Sequence, residues 1–219
     1  MARSAEFWEF FDTQAAPHLG LREQTLRQVF THLDTLTGPV TIVETGCARL
    51  AGNWAGDGQS TVLFDRYISC KDSDSVCYTV DISPESVAAC RQLVSPRVTV
   101  TESDSVAYLG ALAKTLVSTG KRIDVLYLDS FDVDFVHFYP SAIHHLKELT
   151  AARIAITERT WVVVDDAPQT GHFVLPNEAQ LAPIMPFTVG GKGRLVADYA
   201  VAVGAQLLFN HYQAGWVGF

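Results

Sequence analysis

The stretch Thr41-Ile-Val-Glu-Thr-Gly-Cys-Ala-Arg49, followed by Gly56-Asp-Gly-Gln-Ser-Thr61, reads as a strand that empties into a glycine-rich loop and then a helix. Val40, Ile42 and Val43 suit a strand covered on both faces, and Gly46 allows the backbone to turn sharply beneath a ligand. Glu44 is the odd residue. A carboxylate at the carboxyl end of a central strand is poorly solvated, so it must be held by hydrogen bonds or by a ligand's polar groups. Ser60 and Thr61 are candidate caps for a helix over 61–68. Neither common phosphate grip is present: the chain has no GxxxxGK[ST], and the loop after Glu44 is not GxGxxG. A ligand with little phosphate fits better.

Ahead of this strand, Phe7, Trp8, Phe10 and Phe11 within 5–15, and Leu26, Val29, Phe30 and Leu33 within 21–36, have helical spacing and predict two helices. After it, strands are expected at 76–80, 97–101, 123–128 and 161–164, alternating with helices that run to about Val94, to about Val117 and over 140–151. Ser83 and Pro84 carry the cap and first-position signals of the helix after the second strand. Residues 166–190, with Pro168, Pro176, Pro183 and Pro186, are too broken for one regular element, and a loop of that length is of the kind that covers a site. A helix over 194–203 and an antiparallel pair over 206–212 and 215–219 close the chain. The expected architecture is α/β: a doubly wound, mostly parallel sheet whose last strand is antiparallel, with added N-terminal helices. One domain is expected, as a helical cap over 1–38 and an α/β core over 39–219.

The 219 residues are 48% hydrophobic, enough for one substantial core, and no shift of composition divides them. A net charge of −8 without a basic run argues against nucleic acid. No stretch approaches the roughly 20 apolar residues of a membrane span, and the first residues lack the apolar core of a signal peptide. A cytoplasmic protein acting on a small molecule is the expectation, with homo-oligomer formation left open. Cys47, Cys70, Cys77 and Cys90 form no CxxC pair and read as reduced thiols, with a Cys70–Cys77 bridge as the alternative.

Almost every predicted strand ends in an acid: Glu44, Asp81, Asp104, Asp129, and the pair Asp165 and Asp166. In an open parallel sheet, ligands bind beyond these strand ends. Any single Asp there reads as readily as a cap or turn residue, but a whole series in register calls for a ligand. An acid after the second strand can accept both hydrogen bonds of a ribose diol. Polar groups after the third, Ser103 and Asp104, can meet an adenine amino group, and Glu44 could meet a cationic amine. Adenosine, positive charge and no phosphate together describe S-adenosylmethionine.

Val43-Glu-Thr-Gly-Cys47, Tyr78-Thr-Val-Asp81, Glu102-Ser-Asp-Ser105, Val125-Leu-Tyr-Leu-Asp129 and Val162-Val-Val-Asp-Asp166 resemble the motifs of class I S-adenosylmethionine-dependent methyltransferases, over roughly 39–219. The resemblance implies a seven-stranded sheet of order 3-2-1-4-5-7-6 and a cofactor held by Glu44, Thr45, Gly46, Ser60, Asp81, Ile82, Ser103, Asp104 and Asp129. The first motif departs from the family's ExGxGxG, with Ala48, Arg49 and an insertion reaching Gly56. Asp129, Asp165 and Asp166 also resemble the divalent-metal site of catechol-type and macrocin-type O-methyltransferases, which implies Mg²⁺ orienting a substrate hydroxyl. Those enzymes place a Lys or His base three residues after the strand-four acid, where this chain has Asp132. Asp132, His137 and Lys192 are therefore all candidate bases beside Asp129.

Methyl transfer to a small-molecule hydroxyl is the leading expectation. A non-catalytic cofactor-binding module and a nucleotide-sugar or dinucleotide enzyme on a related sheet are the alternatives. His144 and His145, mid-helix, read as a surface or packing pair, and His172 as a solvated loop residue with substrate contact as the alternative. Gly190-Gly-Lys-Gly193 reads equally as an anion-binding helix start and as a simple cap.

Overall fold

The computed structural model describes residues 2–168, 172–174, 181–183 and 189–219. Five parallel strands form most of the sheet: β1 (Thr41–Thr45), β2 (Val76–Asp81), β3 (Val98–Glu102), β4 (Val125–Leu128) and β5 (Trp161–Val164). A short hairpin, β6 (His172–Val174) with β7 (Leu181–Pro183), stands apart from them. The sheet ends with β8 (Gln206–Asn210) and β9 (Ala214–Val217), and its order is β3-β2-β1-β4-β5-β9-β8. Since β9 is antiparallel to both β5 and β8, it alone runs against the rest. With the hairpin set aside, this is the order that the resemblance implied.

Successive strand residues face opposite sides of the sheet, and each side has its own core. Ile42, Val125, Tyr127 and Val163 enter one; Val43, Leu126, Leu128, Val162 and Val164 enter the other. This explains why β1, β4 and β5 carry unbroken apolar runs rather than alternation. The first core is roofed by α1 (Ala2–Phe10), α2 (Ala16–Leu19), α3 (Glu23–Thr35), the short α4 (Trp54–Asp57), α5 (Ser60–Lys71) and α6 (Pro84–Leu93). The second lies under α7 (Ser105–Ser118), α8 (Tyr139–Ala152) and α9 (Arg194–Val203). Phe7, Phe30 and Tyr67 meet with ring centroids 4.6 to 5.2 Å apart, fastening α1 and α3 onto α5.

Several local expectations needed correction. The first expected helix is interrupted by a π-helical turn, Phe11–Ala15. Ser60 and Thr61 do not cap α5: its N-cap is Gln59 in a left-handed conformation without a side-chain cap, and both hydroxyls turn inward to Glu44. Residues 166–190 contain the hairpin as well as loop. Pro176 and Pro186 lie outside the described residues, as does the side chain of His172. Ser83 caps α6 as expected, accepting a hydrogen bond from the Ser86 amide. Cys77 is a free thiol buried in the first core, so no Cys70–Cys77 bridge forms. Among the described residues no helix is long and apolar enough to cross a membrane.

Candidate functional site

From β1 the chain steps outward to β2 and β3, then returns to the other side of β1 for β4 and β5. Loops therefore part at the carboxyl ends of β1 and β4, where open α/β sheets bind ligands. A cleft of about 320 Å³ opens there, within the range of small-ligand sites. Gly46 forms its floor. With φ +77 its backbone hydrogen-bonds to Val80 O at 2.9 Å, and a Cβ would stand 2.6 Å from Asp129 O. Only glycine allows the β1 and β4 loops to close this tightly.

Asp81 stands on the cleft wall at the end of β2. Its Oδ1 accepts from the Ser83 amide at 2.8 Å and its Oδ2 from the Cys47 amide at 3.3 Å, which fixes the carboxylate's direction. Ile82 beside it is 74% exposed and gives the cleft an apolar lip. Asp104 also lines the cleft, and it caps α7 by accepting from the Ala107 amide at 2.8 Å. The cap reading holds, and the same side chain stands on the cleft wall. Ser103 is not on the cleft wall; its amide donates to Asp81 O at 3.0 Å and so ties β3 to β2.

Glu44 does not reach the cleft surface. It is fully buried, with Ser60 and Thr61 hydroxyls each donating to it at 2.6 Å. Burial pushes its carboxyl up to about 7, more than those hydroxyls pull it down. Its role is to hold the start of α5 against β1, with Ser60 as the member of this group that lines the cleft. Thr45 is likewise buried, donating to Glu148 Oε2 at 3.1 Å.

The strand-four and strand-five acids are gathered together, but cations already hold them. Lys192 Nζ donates to Asp129 Oδ1 at 2.7 Å and lies 3.0 Å from Asp166 Oδ2. Arg22 Nε donates to Asp165 Oδ2 at 2.8 Å and its Nη2 to Asp166 Oδ1 at 3.3 Å. Asp165 Oδ1 accepts from the Asp166 amide at 2.8 Å, and the Tyr212 hydroxyl donates to Asp166 Oδ1. Both oxygens of each β5 acid are thus engaged. Among the described residues no group of His, Cys, Asp or Glu is arranged to hold a metal ion. The expected Mg²⁺ ligands Asp129, Asp165 and Asp166 do not fit a divalent ion as they stand, because their lone pairs are directed at an ammonium and a guanidinium.

Of the candidate bases, Lys192 is paired with Asp129 and Asp166. Burial would lower its pKa, but Asp129, Asp166 and Asp165 outweigh this and hold the ammonium above the ordinary lysine value. His137 is exposed, does not line the cleft, and donates its backbone amide to Asp134. Asp132 is on the cleft's rim, 3.6 Å from Arg49.

Two residues that sequence reasoning passed over belong to the site. Arg22 arrives from the N-terminal layer, 143 positions before Asp165, and no local pattern announces it. His144 lines the cleft, with Nε2 2.9 Å from Ser105 Oγ and 3.3 Å from Glu148 Oε1, while His145 is fully buried. The hydrogen bond that His144 donates to the Glu148 carboxylate raises its pKa. Their i, i+4 spacing on α8 was the available signal.

No protein-family model matches this chain, and no curated protein sequence does. Solved structures do match. An S-adenosylmethionine (SAM)-dependent methyltransferase from Anabaena variabilis ATCC 29413 aligns at 12% identity with a TM-score of 0.51, over 99% of this chain and 95% of that one. The O-methyltransferase from Bacillus cereus in complex with SAH aligns at 12% identity with a TM-score of 0.47, over 99% and 91%. DhpI in complex with SAH aligns at 12% with a TM-score of 0.48, over 99% and 93%. At such identity the likeness shows the fold alone, a seven-stranded, Rossmann-like sheet.

Proposed function

We propose that this chain is a SAM-dependent methyltransferase that acts on a hydroxyl of a small-molecule acceptor. The observation that carries the reading is Asp81, a carboxylate fixed by two backbone amides on the wall of a cleft at the sheet's switch point. A ribose diol needs such a pair of aligned acceptors. Ile82 offers apolar surface to an adenine face, and Asp104 with Ser105 and His144 offers polar groups to its edge. At the amino-acid end Glu44 is out of reach, and the reading assigns that end to Arg49, Asp57 and Ser60, which line the cleft. Arg49 suits a carboxylate and Asp57 an ammonium.

Bound SAM supplies a methyl carbon activated by a sulfonium leaving group. What the chain must do is align an acceptor oxygen with that carbon and receive the hydroxyl proton as the new C–O bond forms and the C–S bond breaks. Alignment can contribute on the order of 7 to 11 kcal/mol and a general base about 3 to 5. The rigid cleft therefore matters more than any one base. With Lys192 held as an ammonium and His137 off the cleft, Asp132 is the one of the three candidate bases left to take the proton.

The test is incubation with SAM and a panel of hydroxylated small molecules, with calorimetry of SAM binding in parallel. The reading expects binding, and SAH released only when a suitable acceptor is present. Binding without SAH formation from any acceptor would favour a cofactor-binding module, and preferential binding of NAD or UDP-sugars would overturn the reading.

A further inference from the structure

We propose that Lys192 is a resident cation: its ammonium takes, among Asp129, Asp165 and Asp166, the place that a divalent metal would occupy, so this site holds no such ion. Three carboxylates brought together by neighbouring strands repel one another and are costly to bury. Such a group must either take up a proton or gather positive charge. Here that charge is covalently part of the chain, with Lys192 Nζ 2.7 Å from Asp129 Oδ1 and 3.0 Å from Asp166 Oδ2.

The backbone is shaped to deliver it. Gly191 has φ +51, and a Cβ there would lie 2.0 Å from Asp166 O. Only glycine can lay this turn on the end of β5, and the Lys192 amide then donates to Asp166 O at 3.1 Å. The side chain is 2% exposed, so the ammonium is not a surface group free to swing aside. Arg22 supplies a second fixed charge to Asp165 and Asp166, and its guanidinium lies 4.7 Å from the Tyr212 ring centre. An entering Mg²⁺ would need several of these oxygens in octahedral array, and it would have to expel one cation while facing the other. The glycine-rich segment 190–193 supplies the N-caps Gly190 and Gly193 and, between them, the turn that carries Lys192.

The proposal rests on the methyltransferase reading only in that such a site makes a metal an expectation; the cation itself is testable without any nucleoside. The probe is Mn²⁺ alone, followed by the loss of its free-ion electron paramagnetic resonance signal. Wild-type protein is expected to leave the signal unchanged. Lys192→Ala, which uncovers the carboxylates, is expected to take up Mn²⁺ at least about tenfold more tightly than wild type, affinity rising with the count of available carboxylate ligands. Stoichiometric uptake by wild-type protein, lost in Asp166→Asn, would overturn the proposal. Should Lys192→Ala fail to fold, the wild-type titration still decides between the two results. Calorimetry with SAM separates the failures: wild type that binds both SAM and Mn²⁺ sinks the resident cation alone, and wild type that binds neither sinks the methyltransferase reading alone.

Discussion

At the scale of single residues, what matters is whether a carboxylate faces the cleft or is enclosed by the protein. Asp81 faces it with both oxygens oriented by amides. Asp81→Asn keeps the shape but removes one acceptor, so SAM affinity is expected to fall about 10- to 100-fold, the range for hydrogen bonds to a charged group. The melting temperature should stay close to that of wild type. Calorimetry and thermal melts check both halves. Glu44 is enclosed, and burial lifts its carboxyl from an ordinary 4.5 to about 7. The folded state therefore holds this proton more tightly than the unfolded chain. Its stabilisation is fully present below about pH 4.5 and is lost as pH rises through 7, about 3 kcal/mol in all. His145, buried and lowered to about 4, works in the opposite direction between 4 and 6.5. Urea titrations of wild type and Glu44→Gln across pH 5 to 8 isolate the Glu44 part: the stability difference between them should change with pH by about that amount. Sequence pattern revealed the acids because strand ends are easily located. It could not tell which side chains stop at the surface, since that depends on hydroxyls such as Ser60 and Thr61 that only the packed helix brings near.

At the scale of elements, local signals were most legible where a single physical cause decides. The apolar run Trp161–Val164 and the helix Arg194–Val203 stand where periodicity and length put them. Ser83 and Pro84 start α6 because cap and ring geometry act within one turn. Legibility failed where a distant partner decides, as at Gln59, Phe131 and Asp166, which adopt positive φ without being glycine. Phe131 and Asp166 follow β4 and β5 at the site, where such conformations are held by their surroundings. The turn carrying Lys192 depends equally on long-range fit. Gly191→Ala must clear Asp166 O from a left-handed conformation, so a loss of more than about 1 kcal/mol is expected, which for a chain of this size lowers the melting temperature by at least about 2 to 4 °C. Differential scanning calorimetry checks it. An unchanged melting point would mean that the turn relaxes without cost.

At the scale of the whole molecule, one dependence links the N-terminal helices to the acids that follow β5. The α1, α3 and α5 aromatics form one packed cluster, and Arg22 is carried into the cleft at the start of α3. Phe30→Ala should therefore lower stability by about 3 to 5 kcal/mol as a core truncation. It should also raise amide exchange around Arg22 more than around β3, as seen by hydrogen exchange with mass spectrometry. A sequence reading that treats residues 1–38 as an added cap sees the cluster but not this second task. Arg22 comes from the helices ahead of β1, Tyr212 from the turn between β8 and β9, and both converge on Asp166. Synthesis runs in one direction, and domains tend to fold as they emerge. On the ribosome, then, the strand-five acids must wait until the turn between β8 and β9 has been translated before Tyr212 arrives, so any activity built on them switches on only after that turn has been made.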